Sequence, residues 1–284
     1  MPSNRLFAFY GHHKCATMWI NRIIATVCGK LALHFDAVYG PDDFDGDLAA
    51  YIATRDVDFI SLGNAQLDHV RNLREHLGFH IIRDPRDITV SAYFSHLHSH
   101  STSKWSELVE YREKLQSVPQ DEGLMLEIEN RSGEFRDLST WDYNQENILE
   151  VRFEDLVLHS YDNLLRIFGH LQLLDERDYR IPGRARTLAL ELIDYLTRNR
   201  ASALCRAIKP DALSGAEVLI IAWRNRFQAR AAGRKVGEEN RLSHFRKGQP
   251  GDWRNHFKPE HKRLFKELYP NLLTELGYEN ADDW

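Results

Sequence analysis

Lys14 lies in the run Gly11-His12-His13-Lys14-Cys15-Ala16-Thr17, between the apolar run Leu6-Phe7-Ala8-Phe9-Tyr10 and a stretch with apolar residues at helical spacing. A loop joining a buried strand to a helix N-terminus gathers backbone N–H groups around one small volume, and a lysine and a hydroxyl added there make an anion site. The order differs from the nucleotide triphosphate loop G-x-x-x-x-G-K-[S/T], because Lys14 precedes the small residue and the hydroxyl instead of following a second glycine. Taken alone, the run reads first as a solvated lysine followed by Thr17 as a helix N-cap.

Two further segments carry the same type of chemistry. Arg83 ends an apolar run, Asp84-Pro85-Arg86-Asp87 has the form of a helix start, and Ser91 follows two turns on. A guanidinium and a hydroxyl at such a junction can hold a phosphate through paired hydrogen bonds, although Arg83 is also within reach of Asp84 and Asp87. In Arg246-Lys247-Gly248-Gln249-Pro250-Gly251-Asp252-Trp253 two adjacent cations precede two glycines that let the backbone approach a ligand closely. A basic pair by itself is usually a solvated face.

The elements that must position these residues alternate between strand and helix. Strands are expected at 6–10, 57–62, 79–83 and 148–153, and helices at 17–30, 67–77 (closed by Gly78), 84–98 and 161–171. Further helices are expected at 187–199, 216–231 and within 259–276. This alternation implies a three-layer α/β/α fold around a mostly parallel sheet, with ligands bound where strand ends meet helix starts. The stretch 99–140 turns polar and reads as a largely helical insertion, a wall or lid over the site, within a single domain spanning 1–284.

Composition narrows the function classes. The 284 residues are 43% hydrophobic and 28% charged, which suits a globular protein with a sizeable core and excludes a disordered or collagen-like chain. A net charge of −5 makes a general nucleic-acid binder a poor fit, so any bound anion belongs in a local pocket. Cys15, Cys28 and Cys205 are widely spaced without a CxxC pair, which argues against both a disulfide framework and a zinc knuckle. The longest apolar run, Val218 to Trp223, is too short to cross a bilayer, and the first residues lack a secretory pattern, so the expected location is the cytoplasm.

Together the three segments resemble the sulfotransferases that use 3′-phosphoadenosine 5′-phosphosulfate (PAPS). Cytosolic members carry T-Y-P-K-S-G-T-T-W, matched here by Gly11-His12-His13-Lys14-Cys15-Ala16-Thr17-Met18-Trp19. An arginine at a strand end with a serine eight positions on is matched by Arg83 and Ser91, and R-K-G-x-x-G-D-W-x-N by Arg246, Lys247, Gly248, Gly251, Asp252, Trp253 and Asn255. Phe153-Glu154-Asp155-Leu156 is similar to a Y-E-D segment, and Phe227 occupies the place of a phenylalanine set against adenine. The resemblance implies PAPS as co-substrate without a metal, and transfer of its sulfuryl group to a hydroxyl of a small-molecule, lipid or glycan acceptor. Lys14 and Thr17, with the amides of the loop from His13 through Cys15 and Ala16 to Met18, would hold the phosphosulfate. Trp19 and Phe227 would contact adenine, and Arg83, Ser91, Arg246, Lys247 and the Gly248 amide would grip the 3′-phosphate. Three departures stand out: Ala16 replaces glycine and requires a negative φ to be harmless, Phe153 replaces a tyrosine and its hydroxyl, and Cys15 replaces serine.

An alcohol acceptor also needs a group to take its proton. The cytosolic K-T-H-L-P histidine has no counterpart in Ser61-Leu62-Gly63-Asn64-Ala65. Other branches of the family place a carboxylate near the end of the second strand, which makes Asp36 the first candidate, followed by His244 and then by His12 and His13. His96 and His100 have an i, i+4 spacing that could bind metal, but no third ligand is evident. Trp105, Tyr111, Met125 and Trp141 are candidates for the acceptor pocket. Two alternatives remain: a nucleotide-dependent kinase of related architecture, and a nucleotide-binding module without turnover.

Overall fold

A computed structural model describes residues 5–103, 105–175 and 212–284. At its centre β1 (Leu6–Tyr10), β2 (Phe35–Val38), β3 (Phe59–Leu62), β4 (His76–Ile82) and β5 (Ile148–Arg152) form a sheet in the order β2-β3-β1-β4-β5. Every pairing is parallel, and Tyr10 lies level with Leu62 on one side and His80 on the other. All five residues of β1 are buried, which explains its unbroken apolar sequence. Leu6, Ala8 and Tyr10 pack on one face with Ile60 and Leu62, whereas Phe7 and Phe9 pack on the other with Phe59 and Phe79. Helix α1 (Thr17–Leu31) covers the second face with Ile20, Ile23, Ile24 and Val27.

The expected helix at 67–77 is corrected to the single turn α3 (Leu67–Val70), since His76 already begins β4. Gly78 is a strand residue, and it leaves room for the Ile148 and Tyr10 side chains where a Cβ would collide. Helix α2 (Leu48–Arg55) precedes β3, and its start is capped by Asp47. The start of α4 (Pro85–Phe94) follows its sequence signature, with the Asp84 carboxylate accepting from the Arg86 N–H at 2.9 Å. A π-helical turn, Ser95–Ser99, continues it.

The stretch 99–140 holds α5 (Glu107–Gln116), α6 (Gln120–Glu129) and α7 (Ser132–Thr140). Beyond β5 come α8 (Phe153–Leu158) and α9 (Ser160–His170). The helix expected at 187–199 lies outside the described residues. The one expected at 216–231 is divided into α10 (Gly215–Arg224), opened by a capping box from Ser214 and Glu217, and α11 (Phe227–Arg230). The C-terminal stretch forms α12 (Pro259–Leu268) and α13 (Leu272–Glu275). No described helix is long and apolar enough to cross a membrane. Strand order reverses around β1, so the loops after β1 and β4 open side by side at the carboxyl edge of the sheet.

Candidate active site

A cavity of about 1090 Å³ lies at this edge, and Lys14, Thr17, Arg83, Ser91, Arg246 and Gly248, from all three basic segments, line it together. Its volume exceeds what one drug-sized ligand usually fills.

The first wall is the loop between β1 and α1. Lys14 and Ala16 both adopt left-handed backbone, at φ 66° and 67°. The negative φ that would make the glycine replacement at Ala16 harmless is therefore not met: the alanine methyl stands where glycine would be free, at a cost of about 1–2 kcal/mol. The turn closes through the Cys15 N–H and the Thr17 hydroxyl, which both donate to the His12 carbonyl, at 3.1 and 3.2 Å. Helix α1 starts without a side-chain cap and without an acid in its first turn, so the N–H groups of Thr17 and Met18 remain for a ligand. Lys14 lines the cavity, and burial, reinforced by the Arg83 charge, lowers its pKa to about 7. The Cys15 side chain is instead packed in the core, and burial pushes its thiol upward. His13 turns its ring toward the helical insertion, where it stacks on His96 with centroids 5.2 Å apart and accepts from Arg131 at 3.1 Å.

The second wall touches the first. Arg83 Nη1 donates to the Lys14 carbonyl at 3.0 Å, and its guanidinium lies 4.3 Å over the Phe153 ring. Asp87 sits 3.8 Å from Arg83 and accepts from the backbone N–H groups of Gly251 and Trp253, at 2.6 and 2.9 Å. One buried carboxylate thus ties α4 to the third basic segment.

In that segment Asp252 bonds both Arg246, at 2.5 Å, and Lys247, and Arg246 also reaches Glu239. These bonds and burial determine the Asp252 pKa: burial alone would raise it, yet His256 and Lys247 carry it far below the carboxylate range. Glu239, Asp252 and His256 bring three metal-ligand atoms within 4.8 Å, but the carboxylates are already paired with Arg246 and Lys247. Gly248 has φ 66°, and a Cβ there would collide with Phe227, so that ring lies directly against the glycine. Trp19 is fixed nearby by its indole N–H, which donates to the Asn225 carbonyl at 2.8 Å. Met18, Trp19, Phe153, Phe227 and Lys247 also line the cavity.

Asp36 does not belong to this assembly. It is the second residue of β2, its carboxylate accepts from the Tyr51 hydroxyl at 2.6 Å with Arg55 at 3.8 Å, and it is absent from the described lining residues. Its assignment as the base is corrected on position. His244, His12 and His13 do line the cavity. His244 presents an exposed edge there, but the protein around it, together with the Lys14 and Arg22 charges, lowers its pKa, leaving the imidazole neutral.

Sequence reasoning missed Glu134, whose pKa burial raises to about 7 against the pull of Arg131, 2.8 Å away. Arg131 also sits 2.9 Å from the fully buried Glu127, which bonds His96 and Tyr111. The i, i+4 and i, i+3 spacing of Glu127, Arg131 and Glu134 was the available signal, although Arg131 lies in the turn between α6 and α7. His96 is thereby a carboxylate partner within an ion network. Of the proposed acceptor residues Trp105 lines the cavity, whereas Tyr111, Met125 and Trp141 are not among its described lining residues.

No protein-family model and no curated protein matches the sequence. Solved structures do match it. Mouse sulfotransferase SULT7A1 complexed with PAP aligns at 16% identity and a TM-score of 0.50, over 95% of this chain and 84% of that one. Retinol dehydratase with androsterone and the inactive cofactor PAP aligns at 13% identity and a TM-score of 0.43, over 94% and 80% of the two chains. Retinol dehydratase with retinol and PAP gives 13% and 0.44, over 96% and 82%. The α/β fold of this chain is that of the sulfotransferases.

Proposed function

We propose that this protein transfers a sulfuryl group from PAPS to a hydroxyl of a polar acceptor and releases 3′,5′-ADP. The observation that carries the reading is the single cavity in which two sets of cations, Lys14 at one loop and Arg246 with Lys247 at another, flank aromatic side chains. A donor with anionic groups at both ends of an adenosine needs this arrangement. In this reading 1–284 acts as a single domain in the cytoplasm, and its helical insertion walls the acceptor side.

Lys14, the Thr17 hydroxyl and the first amides of α1 bind the phosphosulfate, with the amides of the loop from His13 to Met18 around it. Trp19 and Phe227 flank the adenine, and Phe153 supports Arg83 from below. Arg83, Ser91, Arg246, Lys247 and the Gly248 amide hold the 3′-phosphate. Transfer is an in-line displacement: the acceptor oxygen forms the new S–O bond while the bond from sulfur to the phosphate oxygen breaks. Negative charge grows on that departing oxygen, where the Lys14 ammonium and helix amides are already oriented to meet it. No step of this reading uses a metal ion.

Beyond the basic segments the cavity is also lined by Asn64, Gln66, Asn130, Arg136 and Asp137, with Tyr39 and Trp105 as aromatic faces. Hydrogen-bonding side chains interspersed with flat rings suit a polyhydroxylated acceptor better than an apolar one. The test is turnover of sulfur-labelled PAPS with sugars and other polyols, phenols and steroid alcohols. The reading expects labelled product and stoichiometric 3′,5′-ADP, with polyols preferred. Binding of PAPS without transfer to any acceptor class would instead indicate the nucleotide-binding module.

A further inference from the structure

On the sheet face opposite α1, two histidines and a glutamate form a continuous chain from the cavity to the surface. His12 Nε2 lies 2.8 Å from His80 Nε2, and His80 Nδ1 lies 2.7 Å from Glu150 Oε2. The other Glu150 oxygen accepts from the Trp141 indole at 2.9 Å. Register explains the alignment: His80 and Glu150 are direct partners across β4 and β5, and His80 is level with Tyr10, two residues before His12. His12 and His80 are almost wholly buried, Trp141 packs 4.3 Å from the His80 ring, and the Glu150 side chain is 27% exposed. His12 also lines the cavity, and with Nε2 committed to His80, Nδ1 is the nitrogen left for a ligand.

We propose that His12 is the group that takes the acceptor's proton, and that His80 and Glu150 are positioning residues that fix its tautomer and carry the proton away. The proposal rests on the sulfuryl-transfer reading above. With Glu150 ionised, His80 Nδ1–H donates to the carboxylate, His12 Nε2–H donates to His80 Nε2, and His12 Nδ1 presents a lone pair to the cavity. As the acceptor oxygen bonds sulfur, its proton moves to His12 Nδ1. The His12 Nε2 proton passes to His80 Nε2, the His80 Nδ1 proton passes to Glu150, and the electron pair of the broken bond stays on the departing phosphate. Once the product has left, the shifts run in reverse and the His12 Nδ1 proton passes to water in the emptied cavity, which restores the starting tautomers and the ionised Glu150.

The chain resolves a difficulty posed by burial. Burial, with the neighbouring His80, holds His12 well below its ordinary pKa, and burial takes His80 down to about 3, so neither imidazole alone retains a proton well. Glu150, by contrast, is raised to about 8 by burial against the Trp141 bond, with Asp142 raising it further. The terminal carboxylate is therefore the proton sink. The other groups facing this end are Tyr143, whose ring is 5.8 Å from His80, and Arg166, which bonds the Glu150 carbonyl. Protonation of Glu150 reverses every donor and acceptor along the chain, so His12 offers a lone pair only above the Glu150 titration.

The test is long-range proton–nitrogen NMR of the full chain labelled with nitrogen-15 histidine, titrated from about pH 6 to about pH 9. His12→Gln and His80→Gln assign the two signals. At the alkaline end His12 is expected to carry its proton on Nε2 and His80 on Nδ1. On acidification both should exchange tautomers in one shared step, which Glu150→Gln removes. Independent changes at the two histidines, or a proton on His12 Nδ1 throughout, would overturn the relay, and the wild-type titration alone decides between these outcomes. Calorimetry with 3′,5′-ADP on the same wild-type sample separates the two claims: absence of binding defeats the donor reading, while binding with unlinked histidines defeats only the relay.

Discussion

The two cation sets that flank the cavity are built in opposite ways. Arg246 and Lys247 already share the buried Asp252 carboxylate, so their positions are set before any ligand arrives. Lys14 has no side-chain hydrogen bond or ion pair among the described residues, and its lowered pKa reflects burial beside another cation. A paired cation is a fixed clamp whose charge is partly spoken for; an unpaired buried one gains most when an anion appears beside it. The difference assigns recognition to the Arg246 end and charge stabilisation during the reaction to the Lys14 end.

Lys14→Ala should break that division most sharply, lowering sulfuryl transfer by about 100- to 1,000-fold in steady-state kinetics while 3′,5′-ADP still binds. A loss confined to binding would place Lys14 with the clamp. At the other end, Gly248→Ala forces a Cβ into left-handed backbone and against Phe227. Calorimetric affinity for 3′,5′-ADP is expected to fall by about tenfold, and unfolding stability by about 1–2 kcal/mol from the left-handed backbone.

The pH response sharpens the same contrast. A lysine with a pKa near 7 is half neutral at neutral pH, and a bound dianion raises that pKa, so binding takes up protons. Affinity for 3′,5′-ADP should therefore weaken as pH rises above 7, and its apparent enthalpy should vary with the ionisation heat of the buffer; Lys14→Ala removes both effects. The smallest change is expected from Ala16→Gly, which relieves the positive φ and should raise unfolding stability by about 1 kcal/mol in denaturant titration.

Much of this arrangement was legible in the sequence because it rests on local signals. The strand, loop and helix around Lys14, the Asp84-Pro85 helix start and the Arg246-Lys247-Gly248 turn each lie within a few residues, and their order along the chain suggested one site. What was not legible depends on register and on distant packing. Asp36 has the expected residue type, but β2 pairs with β3 so that its carboxylate meets Tyr51 instead of the cavity. His80 and Glu150 are 70 residues apart and become partners only through the β4–β5 alignment. At Ala16 the sequence raised the question of backbone strain without answering it, because a left-handed alanine is held by the turn around it. Gly78 read as a helix stop although it serves a close approach between strands.

The central claim is that both ends of one nucleotide are held in this cavity, and calorimetry comparing 3′,5′-ADP with 5′-AMP on the wild type and on Arg246→Ala tests it most directly. The account predicts that wild type prefers 3′,5′-ADP by at least about tenfold and that Arg246→Ala removes most of the preference while leaving 5′-AMP binding unchanged. Equal affinity of the wild type for the two nucleotides would contradict it.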